Sequence, residues 1–105
     1  MNENVFQSWL IKELKKRFTN CIVMKTDPTY IQGMPDILIL FRNCWAALEV
    51  KKSSKASHRP NQDFWVNRMN AMSFSRFISP DNCETVLNDL AKFFESRTPL
   101  ASIIA

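Results

Sequence analysis

Residues 36–51, with the sequence DILILFRNCWAALEVK, decide the fold. The run Ile37–Phe41 is apolar throughout and rich in residues that favour extended structure, which predicts a strand buried on both faces. Arg42-Asn43 predicts a two-residue turn, and Trp45–Lys51 predicts the returning strand. The stretch is therefore expected to form an antiparallel hairpin.

Three charged residues flank this apolar hairpin at one end. The two-residue turn places Asp36 opposite Glu49, and the alternation of side chains along a strand puts Glu49 and Lys51 on one face. Facing carboxylates repel each other, and a shared cation removes that cost. Carboxylate oxygens suit Mg²⁺, with the carbonyl of Val50 as a further ligand. The cluster therefore predicts phosphodiester hydrolysis, in which Lys51 orients water, accepts its proton or stabilises negative charge.

A structural explanation of the same charges stays open. Asp36 could cap a turn at the start of a strand. Glu49 and Lys51 could form a solvent-facing pair that protects an edge strand from aggregation. The joint placement of three charges at one end of so apolar a hairpin favours the functional explanation.

Outward from the hairpin, the apolar spacing predicts the remaining elements. Asp81 and Glu84 are spaced as a capping box for the last helix, and Pro60 suits the first position of the preceding one. The predicted elements are a helix over 5–18, a buried strand over 21–24, the two hairpin strands, a helix from Pro60, a strand over 74–78 and a helix from 79–81 onward. This order predicts an α/β fold with a small mixed sheet flanked by helices.

Composition narrows the class of protein. The chain has 105 residues, one Gly, one His and three Cys, with a formal net charge of +4. These counts disfavour a glycine-rich phosphate loop, a zinc centre, a disulfide framework and a histidine-based triad. We expect one intracellular, cytoplasmic domain over 1–105 that does not enter a membrane, binds nucleic acid and forms a homodimer, with 96–105 as a tail or dimer contact. Core positions are expected for Cys21, Cys44, Cys83, Trp9, Trp45 and Trp65.

Three short motifs carry a resemblance to a known family. They are Gly33-Met34-Pro35-Asp36, Glu49-Val50-Lys51 and Arg59-Pro60-Asn61-Gln62. Together they resemble the PD-(D/E)XK nuclease superfamily, most of all its virus-type replication-repair (VRR-NUC) branch, whose core Holliday-junction resolvases share. The resemblance spans residues 3–95 and implies a restriction-endonuclease-like core. It also implies a Mg²⁺- or Mn²⁺-dependent endonuclease acting on structured or branched DNA, of the kind that phages encode.

The resemblance assigns roles to single residues. Asp36 and Glu49 would bind the metal, Lys51 would be the catalytic lysine, and Gln62 would hold the water or the lysine. Glu3 matches the acid near the start of the first helix, where its spacing from the apolar positions places it on the inward face. Glu13 is the alternative for that role. The segment 24–33 departs from the family because it is shorter and lacks a glycine-rich stretch.

The basic loop that follows the hairpin has two interpretations. Lys52, Lys55, His58 and Arg59 either contact backbone phosphates or form a solvated polar loop. A nucleic-acid-binding module of the same fold without catalysis is the alternative to the nuclease. A structural subunit that docks on a partner through its apolar C-terminal tail is a third possibility.

Overall fold

A four-stranded sheet organises the chain in the computed structural model, which describes residues 1–97. The elements are α1 (Glu3–Arg17), β1 (Ile22–Lys25), β2 (Ile37–Phe41), β3 (Cys44–Val50), α2 (Pro60–Met72), β4 (Ser75–Ile78) and α3 (Cys83–Arg97). The order and the mixed α/β class are those predicted. Of the predicted 96–105 tail, Ser96 and Arg97 form the end of α3, and the rest lies outside the described residues.

The predicted hairpin forms with the predicted register. β2 and β3 are antiparallel, and Ile37 pairs with Leu48. Arg42 adopts a φ of 56° in the tight turn, a left-handed conformation that closes such a connection. Residue 36 therefore continues the ladder one step beyond Ile37, toward Glu49.

The sheet has the order β1-β2-β3-β4. β3 pairs antiparallel with β2 and parallel with β4, and α2 supplies the crossover between the two parallel strands. β3 is consequently an inner strand with a hydrogen-bonded neighbour on each side. Its C-terminal end, where Glu49 lies, is held from both directions.

One face of the sheet carries the main hydrophobic core. Alternate residues of β2, β3 and β4 point to this face, and α1 and α3 cover it. The largest fully buried side chains include Phe6, Leu10, Leu14, Ile37, Ile39, Leu48, Ile78, Leu87, Leu90 and Phe94. The helical members recur at three- and four-residue spacing, which is why the amphipathic pattern predicted both helices.

The opposite face is covered only in part. α2 packs over β3 and β4 on this side, while β1 lies at the sheet edge. Ile22 and Met24 of β1 are exposed, so the prediction that residues 21–24 form a buried strand was wrong about burial. Strand length and apolar composition cannot tell which face a helix will cover.

Two other local predictions were wrong. α3 begins at Cys83, and the carbonyl of Asn82 accepts from the amide of Val86. Asp81 forms no capping box with Glu84, because its carboxylate accepts hydrogen bonds from Ser54 and Ser79 instead.

The expected core positions of tryptophan and cysteine are confirmed only in part. Trp9 is exposed and stacks on Phe6. Cys83 is buried, whereas Cys21 and Cys44 are half-buried, and all three cysteines are free. Trp45 and Trp65 are half-buried as well.

Candidate active site

Three chain segments meet at one end of the sheet. They are the start of β2, the end of β3 and the N-terminus of α2. Between them lies a cleft of about 450 Å³, and Asp36, Glu49 and Gln62 are among its lining residues. Three of the predicted catalytic residues therefore share one cavity, whereas Lys51 and Glu3 are not among the residues that line it.

Asp36 and Glu49 form the acidic pair of this cleft. Protonated Glu49 can donate a hydrogen bond to the Asp36 carboxylate, which contributes to the raised pKa of Glu49. Asp36 is also fixed by the backbone, since its Oδ2 accepts from the amide of Val50 at 2.9 Å. The amide of Lys51 donates to the carbonyl of Ile78 in β4, and that of Ala47 to the carbonyl of Phe74 just before β4. The backbone polar groups of Val50 therefore face the β2 side, where Asp36 lies. This places the Val50 carbonyl on the edge expected of a third oxygen ligand.

Glu49 is the most strongly perturbed acid of the site. Only 4% of its surface is exposed. Burial raises the pKa of its carboxyl to about 9, and the hydrogen bond and negative charge of Asp36 act in the same direction. The positive charge of Lys51 opposes this increase. A bound cation would add its positive charge to that of Lys51. It would favour the ionised form of Glu49 and so lower the pKa of this carboxyl.

Lys51 is held by partners that fix its ammonium group. Its Nζ donates to Oε1 of Gln62 at 2.7 Å and to the carbonyl of Ser57 at 3.2 Å. Oε1 of Gln62 also accepts from the amide of Arg59 at 3.0 Å, which is the backward reach of a capping box. Gln62 thus closes the helix N-terminus and positions the lysine with one oxygen atom.

A close contact between Gly33 and Asn61 shapes the other wall of the cleft. Gly33 has a φ of 84°, and a Cβ added there would lie 2.6 Å from Cγ of Asn61. Only glycine fits this approach without strain. Oδ1 of Asn61 is buried and has no hydrogen-bond partner. The sequence analysis missed Asn61 as a cleft residue, although its place directly after the helix-starting proline was a signal.

The predicted basic loop is ordered around the site. The His58 ring stacks on Phe77 with centroids 3.7 Å apart, and its Nδ1 lies 3.0 Å from Oδ1 of Asp63. Arg59 lines the cleft. Lys52 and Lys55 are exposed.

The two acids proposed for α1 occupy different environments. Glu3 is exposed rather than inward-facing, yet its negative charge is near enough to raise the pKa of Glu49 slightly. Glu13 is bound to Arg17, with Nε and Oε2 2.7 Å apart, and Arg17 also reaches Glu84 of α3. Ten residues of helix separate the two acids, roughly 15 Å. Glu3 is thus the α1 acid whose charge reaches the site.

The chain matches no protein-family model, no curated protein and no solved structure. The resemblance to the PD-(D/E)XK nucleases therefore stays a prediction carried by the motifs and their placement. Across residues 1–97, no group of three or more His, Cys, Asp and Glu side chains is arranged to hold a metal. Over the same residues, no helix is long and apolar enough to cross a bilayer.

Proposed function

We propose that the protein is a metal-dependent endonuclease that hydrolyses phosphodiester bonds in DNA, with structured or branched DNA as its substrate. The observation that carries the proposal is the acidic pair Asp36–Glu49, which shares one cleft with Gln62, the residue that holds Lys51. Two carboxylates and a backbone carbonyl form an oxygen-only donor set, which suits Mg²⁺ or Mn²⁺. Two ionised carboxylates this close repel each other, and a bound cation offsets that repulsion between Asp36 and Glu49.

Asp36, Glu49 and the carbonyl of Val50 would hold the ion. When bound, a divalent cation lowers the pKa of water and offsets the charge of the transition state. Asp36 is positioned for this by the amide of Val50. A set of two carboxylates leaves room for water and phosphate oxygens, which Mg²⁺ sites generally keep.

Lys51 would stabilise the negative charge that develops on the phosphate. Its Nζ has two fixed acceptors, Gln62 and Ser57, so an ammonium group is already oriented before substrate binds. Gln62 acts as a positioning residue, because it holds the lysine and is itself anchored to the helix N-terminus.

The net charge and the basic loop support a polyanionic substrate. Lys52, Lys55, His58 and Arg59 lie on the loop that follows β3, where they would contact backbone phosphates. Of these, Arg59 lines the cleft itself. We expect DNA affinity to fall with increasing salt. At a given salt concentration, the affinity of Lys52→Met should be lower than that of the wild type.

The test is cleavage of single-stranded, duplex, flap and four-way-junction DNA with Mg²⁺, Mn²⁺ or EDTA. Asp36→Asn, Glu49→Gln and Lys51→Met should each lower the rate by at least about 100-fold while DNA binding persists. Lys16→Met and Glu95→Gln change exposed residues of the same types outside the cleft and should leave the rate unchanged. Full activity in any of the first three variants would remove that residue from the mechanism.

One observation favours a second candidate, a nucleic-acid-binding module without catalysis. Because the pKa of Glu49 is raised to about 9, a proton can hold Asp36 and Glu49 together at neutral pH without any ion. Such a module would bind DNA in a salt-dependent way, would not respond to Mg²⁺ and would cleave nothing. The same panel therefore separates the two candidates.

The predicted homodimer and intracellular location belong to this proposal. The exposed apolar residues Ile22 and Met24 of the edge strand are the described surface that a second copy would cover first. Light scattering of the purified protein over a range of concentrations tests the dimer.

A further inference from the structure

We infer that the loop 26–34 carries a pocket for one unpaired nucleobase next to the cleft, and that this pocket selects DNA with unpaired nucleotides. The inference rests on the proposed nuclease function, whose substrate class it narrows. It is carried by an exposed aromatic residue, Tyr30, and by an apolar cavity beneath it.

Tyr30 is exposed on a rigidly built loop. Its surface is 84% exposed, the highest among the large apolar and aromatic residues described. The loop is fixed by Asp27, whose Oδ1 accepts from the amide of Thr29 at 2.9 Å and from its hydroxyl at 2.6 Å, while the Asp27 carbonyl accepts from the amide of Tyr30. The ring is thus presented to solvent by a preformed turn, so little ordering is needed before it stacks on a partner.

An apolar cavity of about 300 Å³ lies beside Tyr30. This volume is at the lower end of the range for small-molecule sites, about 300–1,000 Å³. Asp27 lines it with a carboxylate already engaged by Thr29. Its apolar lining includes Ile31, Met34, Pro35, Leu38 and Met69. Enzymes that take a base out of the stack hold it between aromatic and apolar side chains of this kind.

The cavity adjoins the candidate active site. Met34 lines both the cavity and the acidic cleft, and the loop 26–34 forms a wall of each. A DNA strand whose phosphate lies against Asp36 and Glu49 would therefore place a neighbouring base at Tyr30. Bases of a paired duplex are stacked and cannot enter, whereas an unpaired base has a free face and edge.

Basic residues next to the loop in sequence and in the adjoining cleft fit the phosphates of that strand. Lys25 precedes the loop and is exposed, and Arg59 lines the adjoining cleft. A positively charged groove and aromatic side chains on which bases stack are the two components of single-stranded nucleic-acid sites. A site for an apolar small molecule would need only the apolar cavity and no positive charge nearby.

The experiment measures DNA binding by metal-free protein, so that it does not depend on cleavage. The probes are a duplex, the same duplex with a short single-stranded flap, and that flap with an abasic site at its first unpaired nucleotide. Tyr30→Ala should weaken flap binding about tenfold and leave duplex binding within about twofold. Tyr30→Phe should bind the flap as the wild type does, because it keeps the ring. Phe64→Ala removes an aromatic residue that is 56% exposed on α2, and should change neither affinity.

A double-substitution cycle makes the test specific for the base. If the Tyr30 ring stacks on the unpaired base, the abasic site and Tyr30→Ala should together cost no more than either does alone. Independent losses, or an equal loss on duplex and flap, would overturn the inference. Cleavage without a Tyr30-dependent preference would leave the nuclease standing and remove the pocket. A Tyr30-dependent preference for the flap without cleavage in any metal would support the pocket and refute the nuclease.

Discussion

Replacing Glu49 by glutamine should make the metal-free protein more stable at neutral and alkaline pH, and it should remove most of the pH dependence of its stability. Glutamine keeps the shape of the side chain and can still hydrogen-bond to Asp36. It cannot ionise inside the site, where Glu49 is buried beside a second carboxylate. The substitution therefore separates the cost of the charge from the packing of the side chain.

The sign and the size follow from the pKa of Glu49. It is raised from 4.5 to about 9, so between these pH values the folded state binds more protons than the unfolded state, and stability falls as the pH rises. Each pH unit costs about 1.4 kcal/mol. From pH 5 to pH 7 the metal-free wild type should lose about 3 kcal/mol, a decrease in Tm on the order of 10 °C or more for a domain of this size.

The assay is thermal or urea unfolding in EDTA at pH 5, 6, 7 and 8, for the wild type, Glu49→Gln and the control Glu95→Gln. Glu95 is exposed on α3, so the Glu95→Gln protein should follow the wild type. Adding Mg²⁺ at pH 8 should raise the Tm of the wild type and have no effect on Glu49→Gln, since a bound ion stabilises only a state that holds it. Parallel pH dependence in the wild type and Glu49→Gln would refute the reasoning, because Glu49 would then ionise without cost.

Three further predictions concern the surroundings of the site. Gly33→Ala should destabilise the protein by about 2 kcal/mol, because it forces a side chain into a left-handed backbone against Asn61; urea unfolding measures this loss. Glu3→Gln should change the cleavage rate by less than about tenfold, because Glu3 is exposed and is the weakest of the influences on the pKa of Glu49. Asp81→Ala should release the loop 52–59, because it removes the acceptor of the Ser54 hydrogen bonds; faster hydrogen exchange in the loop measures this. In the wild type these hydrogen bonds should weaken in acid, as Asp81 protonates through its lowered pKa of about 2.

The hairpin and its charges could be predicted because their determinants are local. A two-residue turn fixes the register of both strands, and the observed pairing of Ile37 with Leu48 carries that register to the next position. The position of Asp36 opposite Glu49 could therefore be predicted without knowing where the helices pack. Gln62 was assigned by resemblance, and its contact with Lys51 is in keeping with that assignment.

The predictions that were wrong depended on contacts distant in sequence. Asp81 has the spacing of a helix cap, yet Ser54, 27 residues away, donates to it. Ile22 has the composition of a buried residue, yet it is exposed, because Val23 is the side chain of β1 that packs against the core and successive residues of a strand face opposite sides. The sequence pattern could not distinguish Glu3 from Glu13 as the helix acid of the site. The difference is the ion pair between Glu13 and Arg17, which depends on side-chain geometry.

The inner position of β3 has a consequence for how this protein can change over evolution. Glu49 lies on a strand that is hydrogen-bonded on both sides, so a shift of this strand would break two ladders at once. The loops 26–34 and 52–59 contribute no strand to the sheet, so their length and composition are less constrained outside fixed positions such as Gly33 and Ser54. If the protein is the proposed nuclease, new substrate preferences can therefore arise by exchange of these two loops, while Asp36 and Glu49 stay where they are.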